Sequence, residues 1–283
     1  MPEAVAEPAA GRAPVSVSDA LASATGALTL AGCENSRLDA ELLLGEALGV
    51  TRSALVVGAA TSLEAAALGR FRSLLARRAE REPVAYILGR KGFRYITLAV
   101  DRRVLIPRPE TELLVEVGLE LPEGARVMDI GTGSGAVALA LKQERPDLVV
   151  SATDISSDAL ALARANAMAL GLKVRFAHAD LLDGARYDAV LANLPYVAAG
   201  AASRLAPEIS RYEPSRALLG GPDGLDVVRR LVASNLGGAS LVALEVGSDQ
   251  AAVVSALLVA RGFTAVACRR DLAGHERVVV GCR

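Results

Sequence analysis

Four consecutive residues, Asn193-Leu194-Pro195-Tyr196, follow a short apolar run and combine groups that could hold a planar nitrogen. An asparagine followed by X-Pro favours a stiff, extended turn, because proline restricts the residue before it. The side-chain oxygen of Asn193 and the carbonyl oxygen of Leu194 can both accept hydrogen bonds from one –NH2 group. Tyr196 offers a ring face to the plane of that group and to a cationic donor. This arrangement favours methyl transfer to an amide or amino nitrogen.

An amide nitrogen is a weak nucleophile, because its lone pair is delocalised into the carbonyl group. Hydrogen bonds accepted from its two N–H groups return electron density to it, and alignment for in-line displacement contributes further, about 7–11 kcal/mol at the upper end. No strong base is required, since the proton can leave after the transfer. The lack of a His or Cys constellation therefore does not count against catalysis. An ordinary strand-to-loop turn is the alternative interpretation of these four residues.

A glycine-rich segment, Gly131-Thr132-Gly133-Ser134-Gly135, lies between an apolar strand pattern and a helical pattern. Its glycines allow a tight turn and close approach of a ligand, and the free N–H groups where the helix begins favour a polar or anionic group. The first two glycines and Ala136 fit the dinucleotide fingerprint G-x-G-x-x-G/A. The leading Asp129 and the extra Gly135 fit better the methyltransferase loop that cradles the methionine end of S-adenosylmethionine. A plain tight turn is the third interpretation.

Two further positions could bind the adenosine part of such a cofactor. Asp154 ends the next apolar strand pattern, where a carboxylate can accept hydrogen bonds from both ribose hydroxyls, although it could also be an acid at a helix N-terminus. Asp180 and Leu181 end the following strand region, where they could hold the adenine amino group and stack on the ring. Nicotinamide cofactors share this geometry, but the sequence has no catalytic His, Lys or Tyr-x-x-x-Lys arrangement for hydride transfer.

The order of patterns divides the chain into four parts. Residues 1–14 predict a disordered tail, and residues 15–84 predict a small helical domain. Residues 85–106 alternate in polarity and predict a hairpin linker. In residues 107–283 strands alternate with helices, which indicates βαβ units and a mostly parallel sheet. The predicted fold class is α/β and Rossmann-like.

Composition disfavours several classes of protein. The three cysteines and two histidines are scattered without metal-ligand or redox spacing, so we expect no metal. The first residues lack the apolar segment of a signal peptide, and no uncharged stretch is long enough to span a bilayer. We therefore expect a cytoplasmic protein that makes no use of a membrane.

Charge is concentrated in one part of the chain, although the net charge is only −1. Residues 70–108 contain eleven lysines and arginines against three acids. This excess could form a surface for an acidic partner, protein or RNA, or it could be a solvated helix face followed by an arginine-rich hairpin. The sequence leaves both interpretations open.

Several further motifs resemble those of the HemK family, the protein-(glutamine-N5) methyltransferases that modify peptide chain release factors. The resemblance covers about residues 35–283. The leading helical domain and the run PRPETE are specific to that family, whereas many methyltransferases share the glycine loop. The segments that resemble the family, besides the two loops, are Asp39-Ala40-Glu41-Leu42-Leu43-Leu44, Pro83-Val84-Ala85-Tyr86-Ile87-Leu88-Gly89, Leu105-Ile106-Pro107-Arg108-Pro109-Glu110-Thr111-Glu112, Asp154-Ile155-Ser156, Tyr212-Glu213-Pro214 with Ala217-Leu218, Gly221-Pro222-Asp223-Gly224-Leu225 and Gly274-His275-Glu276-Arg277-Val278.

The resemblance implies a seven-stranded class I methyltransferase sheet with an antiparallel last strand. It implies S-adenosylmethionine as cofactor and S-adenosylhomocysteine as product, and the glutamine of the Gly-Gly-Gln motif in class 1 release factors as substrate. The helical domain would dock the release factor, nucleic acid is not expected as a partner, and we expect a monomer. The implied site residues are Gly131, Thr132, Gly133, Ser134, Gly135, Asp154, Leu181 and Asn193 for the cofactor, Asn193, Leu194, Pro195 and Tyr196 for the glutamine, and Asn193, Pro195 and Tyr196 for catalysis.

One position departs from the family pattern. The family loop reads Asn-Pro-Pro-Tyr, and Leu194 stands at its second position. Leucine keeps the carbonyl group but loses the rigidity of the ring and adds an N–H group. Asn-Leu-Pro-Tyr also resembles the loop of ribosomal RNA adenine N6-methyltransferases, which usually carry their helical domain after the core and lack the PRPETE run. A methyltransferase-like module that binds the cofactor without turnover is the other alternative.

Overall fold

The computed structural model describes residues 15–283, so the predicted tail of residues 1–14 lies outside the described residues. The chain divides into two compact units at the bond between Leu88 and Gly89. The first unit is helical and the second is built on a large sheet. Each unit has its own hydrophobic core.

The helical unit contains five helices: α1 (Val17–Leu30), α2 (Ser36–Leu48), α3 (Arg52–Val57), α4 (Ala65–Ala79) and α5 (Val84–Leu88). The side chain of Ser16 caps α1 by accepting from the backbone N–H of Asp19, which satisfies one of the free donors of the first turn. Apolar side chains from α1, α2 and α4 form the core. A buried ion pair between Arg78 and Asp39 at 2.7 Å joins α4 to α2.

The predicted hairpin linker begins later than the alternation of residues indicates, because residues 84–88 are helical. The carbonyl of Pro83 accepts hydrogen bonds from the N–H groups of Tyr86 and Ile87, which closes a helical turn. Proline is favoured where a helix begins, since its fixed φ suits the first turn. Tyr86 and Ile87 are both buried, and two adjacent buried residues fit a helix better than a half-buried strand. The hairpin itself is β1 (Arg90–Phe93) and β2 (Ile96–Ala99).

The rest of the second unit alternates strands with helices, as its sequence pattern predicts. In chain order its elements are α6 (Glu112–Leu119), β3 (Arg126–Ile130), α7 (Ala136–Glu144), β4 (Val149–Asp154), α8 (Ser157–Leu170), β5 (Arg175–His178), β6 (Ala189–Ala192), α9 (Pro207–Tyr212), α10 (Asp226–Ala233), β7 (Leu241–Glu245), α11 (Ala251–Ala260), β8 (Ala265–Arg270) and β9 (Glu276–Cys282).

Seven of the strands form one sheet in the order β5-β4-β3-β6-β7-β9-β8. The first five of these pair in parallel, and β9 is antiparallel to both of its neighbours. All four residues of β6 are buried, as expected for a central strand that helices cover on both faces. The predicted α/β class, with a mostly parallel sheet and an antiparallel last strand, is confirmed.

The strand order reverses at the centre of the sheet, and this places the predicted site residues together. The chain moves outward from β3 through β4 to β5, then returns to β6 on the other side of β3. In such sheets ligands bind outside the carboxyl ends of the strands at the point of reversal. The glycine loop, Asp154 and Asn193 follow or end β3, β4 and β6, so they lie at this edge.

Candidate active site

A cavity of about 460 Å³ opens at the carboxyl ends of β3, β4 and β6. This volume lies within the range of pockets that hold small-molecule cofactors. The structure brings nearly all of the predicted site residues to this cavity, and only Gly135 and Tyr196 are absent from its wall. The predicted residues that line it are Gly131, Thr132, Gly133, Ser134, Asp154, Leu181, Asn193, Leu194 and Pro195.

The glycine loop is held in a turn whose backbone conformation favours glycine. Gly131 and Gly133 have φ values of +71° and +56°, which glycine adopts without strain. The carbonyl of Thr153 accepts the N–H groups of Gly131 and Thr132 at 2.9 and 3.0 Å, which fastens the loop to β4. Gly135 lies behind the cavity wall, where a Cβ atom would come within 2.9 Å of the Leu139 side chain. Its role in the structure is close packing of the loop against α7.

The carboxylate of Asp154 is fixed at the rim of the cavity by two backbone donors. Its Oδ2 accepts the N–H of Gly133 at 2.9 Å, and its Oδ1 accepts the N–H of Ser156 at 2.8 Å. The cap of α8 is Ser156, whose side chain accepts the N–H of Ala159, so Asp154 is not the helix cap. Each oxygen keeps a lone pair for a further donor, as binding of two ribose hydroxyls would require.

Leu181 lies in the loop after β5 and not at its end, since that strand stops at His178. Its φ of +72° is unusual for a leucine, and such a conformation costs on the order of 1–3 kcal/mol unless its surroundings impose it. The hydroxyl of Thr153 donates to the carbonyl of Leu181 at 2.5 Å and supports this conformation. The neighbouring Asp180 is paired with Arg230 at 2.5 Å, so its side chain is already engaged.

Asp129 ends up as a buried carboxyl group in the cavity wall. Burial raises its pKa to about 6, while a hydrogen bond from the Thr132 hydroxyl at 2.6 Å opposes the rise. Its Oδ2 also accepts the backbone N–H of Ala138 in α7 at 3.2 Å. Asp129 therefore ties the glycine loop and the beginning of α7 to β3.

The side-chain amide of Asn193 has a fixed orientation. Its Nδ2 donates to the hydroxyl oxygen of Thr111 at 3.0 Å, so Oδ1 is left as the acceptor of the amide group. Thr111 is buried and belongs to the short 3-10 helix Pro109–Thr111, within the PRPETE run. Sequence reasoning gave Thr111 no role, although the run itself was conspicuous. The structure therefore brings the PRPETE run into hydrogen-bond contact with the acceptor loop Asn193-Leu194-Pro195-Tyr196.

Leu194 fits the core beside the glycine loop. It is only 4% exposed and belongs to the cluster that contains Met128 and Ile130. Its Cδ2 atom lies 3.3 Å from where a Cβ atom on Gly131 would stand, so the leucine and the glycine depend on each other. Within residues 15–283 its N–H group makes no hydrogen bond. The structure accommodates leucine at this position without loss of the loop.

Tyr196 lies behind the acceptor loop, away from the cavity wall. Its hydroxyl donates to Oε1 of Glu245 at 3.4 Å, and its carbonyl accepts the side-chain N–H of Gln250 at 2.9 Å. Burial raises the pKa of Tyr196 to about 12. Burial also raises the pKa of Glu245 to about 7, while the positive charge of Arg277 and the hydrogen bond from Tyr196 oppose the rise. The sequence assigned Glu245 and Gln250 no role. The only sign of such a contact was Glu245 itself, an acid at the end of an apolar strand pattern.

A second acid-base contact connects the PRPETE run to the Tyr212-Glu213-Pro214 motif. Arg108, which lines the cavity, forms an ion pair with the buried carboxylate of Glu213. Burial raises the pKa of Glu213, and the charge of Arg108 opposes this rise. The pair holds the segment after α9 on the PRPETE run.

Many of the basic residues between 70 and 108 have acidic or carbonyl partners within their own unit. In the helical unit Arg70 donates to the carbonyl of Ala47, and Arg77 pairs with Glu82. In the sheet unit Arg94 pairs with Glu144 at 2.5 Å, and Arg103 with Asp101 at 2.6 Å. These contacts favour a structural role for much of the basic segment over a free basic surface.

Neither a membrane segment nor a metal site is found in the described part of the chain. Between residues 15 and 283 no helix is long and apolar enough to cross a membrane. Over the same residues no cluster of three or more His, Cys, Asp or Glu side chains is arranged to hold a metal ion.

Known families match both units of the chain. The PrmC N-terminal domain matches residues 19–89, and the methyltransferase small domain matches residues 109–212. A release factor glutamine methyltransferase of Caulobacter vibrioides is 42% identical over 266 residues, which cover 89% of this chain and 91% of that protein. The chain belongs to the release factor glutamine methyltransferase family. A family member from Pseudomonas aeruginosa is 44% identical over 256 residues, which cover 87% of this chain and 92% of that protein.

The chain also resembles methyltransferases of other families in their solved structures. The hMettl16 catalytic domain in complex with the MAT2A 3'UTR hairpin 6 has a TM-score of 0.56 and 18% identity, and the match covers 74% of this chain and 81% of that one. At this identity the likeness is one of fold. It agrees with the class I methyltransferase architecture of release factor glutamine methyltransferases.

Proposed function

We propose that this chain transfers a methyl group from S-adenosylmethionine to the side-chain N5 of the glutamine in the Gly-Gly-Gln motif of class 1 release factors. S-adenosylhomocysteine is the other product. The observation that carries the proposal is the fixed amide of Asn193, whose Oδ1 is left as an acceptor beside the glycine loop. An acceptor of this kind selects a planar –NH2 donor, and family membership identifies that donor as a glutamine amide.

The cavity offers separate groups for each part of the cofactor. Asp154, held by two backbone N–H groups, would bind the ribose hydroxyls, and Leu181, in the cavity wall, would cover the adenine ring. The backbone of the loop Gly131-Thr132-Gly133-Ser134 would contact the methionine end, where the absence of side chains at the glycines permits close approach. When bound, S-adenosylmethionine supplies a methyl group on a positively charged sulfur, which makes the methyl carbon electrophilic.

The acceptor loop prepares the glutamine nitrogen for attack. Asn193 Oδ1 and the carbonyl of Leu194 accept its two N–H bonds, which increases electron density on the nitrogen and directs its lone pair toward the methyl carbon. Pro195 keeps the preceding backbone extended, so the two acceptors stay in register. A carbon–nitrogen bond forms, the carbon–sulfur bond breaks, and the nitrogen loses one proton to solvent. Alignment and hydrogen bonding are the main contributions of the protein.

The two alternatives from the sequence are less well supported. Relatives that align with about nine tenths of this chain are named release factor glutamine methyltransferases, which favours a protein substrate over ribosomal RNA. The buried position of Leu194 beside Gly131 keeps the acceptor loop intact, which argues against loss of turnover at this residue.

We propose that the helical unit, residues 15–88, docks the release factor, that the hairpin and the segment up to residue 106 form the linker, and that residues 107–283 perform the transfer. Leu30, Val56 and Val57 are large apolar side chains that the helical unit leaves exposed, at 91%, 73% and 91%, and such a surface suits a protein partner. We further propose that the enzyme acts as a monomer in the cytoplasm, where release factors work.

A substrate comparison tests this function. The full chain is incubated with labelled S-adenosylmethionine and either a class 1 release factor, the same factor with its Gly-Gly-Gln glutamine replaced by alanine, or ribosomal RNA. We expect label only in the unmodified release factor. Label in the RNA alone would support the adenine methyltransferase, and cofactor binding without label in any substrate would support the inert module.

A further inference from the structure

A buried asparagine joins the hairpin to the glycine loop of the candidate cofactor site. Asn166 lies in α8, is 4% exposed and does not line the cavity. Its Nδ2 donates to the carbonyl of Ser134 in the glycine loop at 2.9 Å. The same nitrogen donates to the carbonyl of Ala99 at the end of β2 at 3.1 Å, and Oδ1 accepts the N–H of Ala99 at 2.8 Å. One side chain therefore makes three hydrogen bonds to the backbone of two separate segments.

The hairpin determines which way the Asn166 amide faces. In an extended strand the N–H and the C=O of one residue point to the same side, so the amide pairs with Ala99 as a neighbouring strand would. A reversed amide would place its –NH2 group against the N–H of Ala99, and two donors would face each other. The hairpin is itself held on the sheet unit, since Leu98 is buried in its core and Arg94 pairs with Glu144. Asn166 is therefore a fixed donor for the glycine loop.

The peptide group between Ser134 and Gly135 needs such a donor. Gly135 has a φ of +86°, and glycine adopts φ values of either sign at little cost, so this peptide group could rotate easily. The carbonyl and the N–H of one planar peptide group point in opposite directions. Here the carbonyl faces Asn166, outside the cavity wall, and the N–H of Gly135 donates to the carbonyl of Thr132 at 2.8 Å. Asn166 therefore keeps this carbonyl oxygen out of the cavity.

Backbone donors remain available on this side of the cavity. Within residues 15–283 the N–H groups of Ser134, Ala136 and Val137 make no hydrogen bond, and all three residues line the cavity. Ala136 and Val137 begin α7, and the first N–H groups of a helix have no partner within it. Donors of this kind suit an anionic group, such as the carboxylate at the methionine end of S-adenosylmethionine. A carbonyl oxygen turned into the same space would repel that carboxylate.

We propose that Asn166 is a positioning residue that holds the Ser134 carbonyl away from the cavity and so keeps the glycine loop in the form that binds the methionine end of the cofactor. The inference rests on the proposed function, since it concerns the cofactor of that reaction. Asn166 lies outside the cavity wall and acts only through the backbone of the loop.

Two ligands that differ at the methionine end test this role. S-adenosylhomocysteine and methylthioadenosine share the adenosine and the thioether sulfur, but only the first carries the amino and carboxylate groups. In Asn166→Ala we expect the Kd for S-adenosylhomocysteine, measured by calorimetry, to rise about tenfold or more, while the Kd for methylthioadenosine stays within about twofold of wild type. Loss of folded protein would weaken both ligands by the same factor, so the ratio of the two Kd values separates positioning from stability.

Asn166→Asp is a second variant, which keeps the volume of the side chain and leaves no cavity. Its carboxylate can still accept the N–H of Ala99 but cannot donate to the carbonyl of Ser134. We expect the same selective loss of affinity for S-adenosylhomocysteine. This variant also tests the proposal if Asn166→Ala does not fold.

Gln250→Ala is the matched control, since Gln250 is also a buried amide with three hydrogen bonds to backbone groups. Its Nε2 donates to the carbonyls of Tyr196 and Asp223, and its Oε1 accepts the N–H of Gly247, all outside the glycine loop. We expect Tm to fall in this control while the ratio of the two Kd values stays at the wild-type value. An unchanged ratio in the folded Asn166 variants, or an equal change in Gln250→Ala, would overturn the proposal.

The outcomes also separate this inference from the proposed function. If the wild-type chain binds S-adenosylhomocysteine no more tightly than methylthioadenosine, the glycine loop does not hold the methionine end and the inference fails. If the wild-type chain methylates a release factor and the Asn166 variants keep its preference for S-adenosylhomocysteine, the function stands and the positioning role is wrong. If the wild-type chain methylates no release factor but the Asn166 variants lose that preference, the proposed function fails and the positioning role stands.

Discussion

The side-chain nitrogen of Asn193 donates to the hydroxyl of Thr111 at 3.0 Å, a contact between residues 82 positions apart in the sequence. It joins the acceptor loop after β6 to the PRPETE run before α6. This contact connects the PRPETE run physically to the acceptor loop and leaves Oδ1 as the acceptor atom of the asparagine amide.

Replacement of Asn193 by alanine should abolish methyl transfer while the cofactor still binds. The substitution removes the acceptor of the glutamine N–H group, but Asp154 and the glycine loop remain in place. We expect a loss of kcat of at least about 100-fold, comparable to the loss of one transition-state donor in other enzymes. Calorimetry should show S-adenosylmethionine binding only partly weakened. Undiminished turnover by Asn193→Ala would remove this residue from the acceptor site.

Replacement of Asp154 by alanine should mainly weaken cofactor binding. The substitution removes the carboxylate that we propose binds the ribose hydroxyls. Hydrogen bonds to charged groups contribute about 1.5–3 kcal/mol, so we expect the Kd for S-adenosylmethionine to rise about 10- to 100-fold. Asp158→Ala is the control, since it removes a nearby acid in the first turn of α8 that does not line the cavity. Equal affinities for Asp154→Ala and wild type, measured by calorimetry, would exclude the ribose contact.

Replacement of Leu194 by proline should preserve activity at some cost in stability. The N–H group that proline removes makes no hydrogen bond within the described residues, and the carbonyl group remains. The smaller proline side chain fills less of the core beside Met128 and Ile130, so we expect Tm to fall by a few degrees, equivalent to about 1–2 kcal/mol. A folded but inactive Leu194→Pro protein would contradict the alignment of this loop with the family loop.

The stability of the folded chain should depend on pH through the buried carboxyl group of Glu245. The pKa of Glu245 is raised from 4.5 in the unfolded chain to about 7 in the folded chain, so the folded state binds the proton more tightly. The corresponding stability is fully present below pH 4.5 and is lost as the pH rises to about 7, at about 1.4 kcal/mol per unit of pKa shift. Asp129 contributes in the same direction. The free energy of unfolding, measured by chemical denaturation at several pH values in this range, should change less with pH in Glu245→Gln than in wild type.

Much of the fold, and the placement of the candidate site residues, follows from the sequence. Alternating strand and helix patterns predict the parallel sheet, and loops that follow such strands meet at one edge by topology alone. Gly131 and Asp154 could therefore be placed at one edge of the sheet before the structure was known. Their placement is confirmed because it depends on local patterns and on the regular geometry of the sheet.

Other features depend on contacts between distant segments, which no local pattern encodes. Residues 84–88 read as part of a hairpin, yet they form a helix because Pro83 begins a turn and Tyr86 and Ile87 are both buried. The sequence predicts that Tyr196 presents its ring face to the substrate. In the structure its hydroxyl donates to Glu245 behind the loop. The contact between Thr111 and Asn193 forms only because the PRPETE run packs against the acceptor loop.

Mass spectrometry of the Gly-Gly-Gln peptide from a release factor treated with this protein and S-adenosylmethionine tests the central claim most directly. Wild-type protein should add one methyl group to the glutamine side chain, and Asn193→Ala should leave the peptide unmodified. A methyl group on another residue, or none on the peptide despite bound cofactor, would contradict the account.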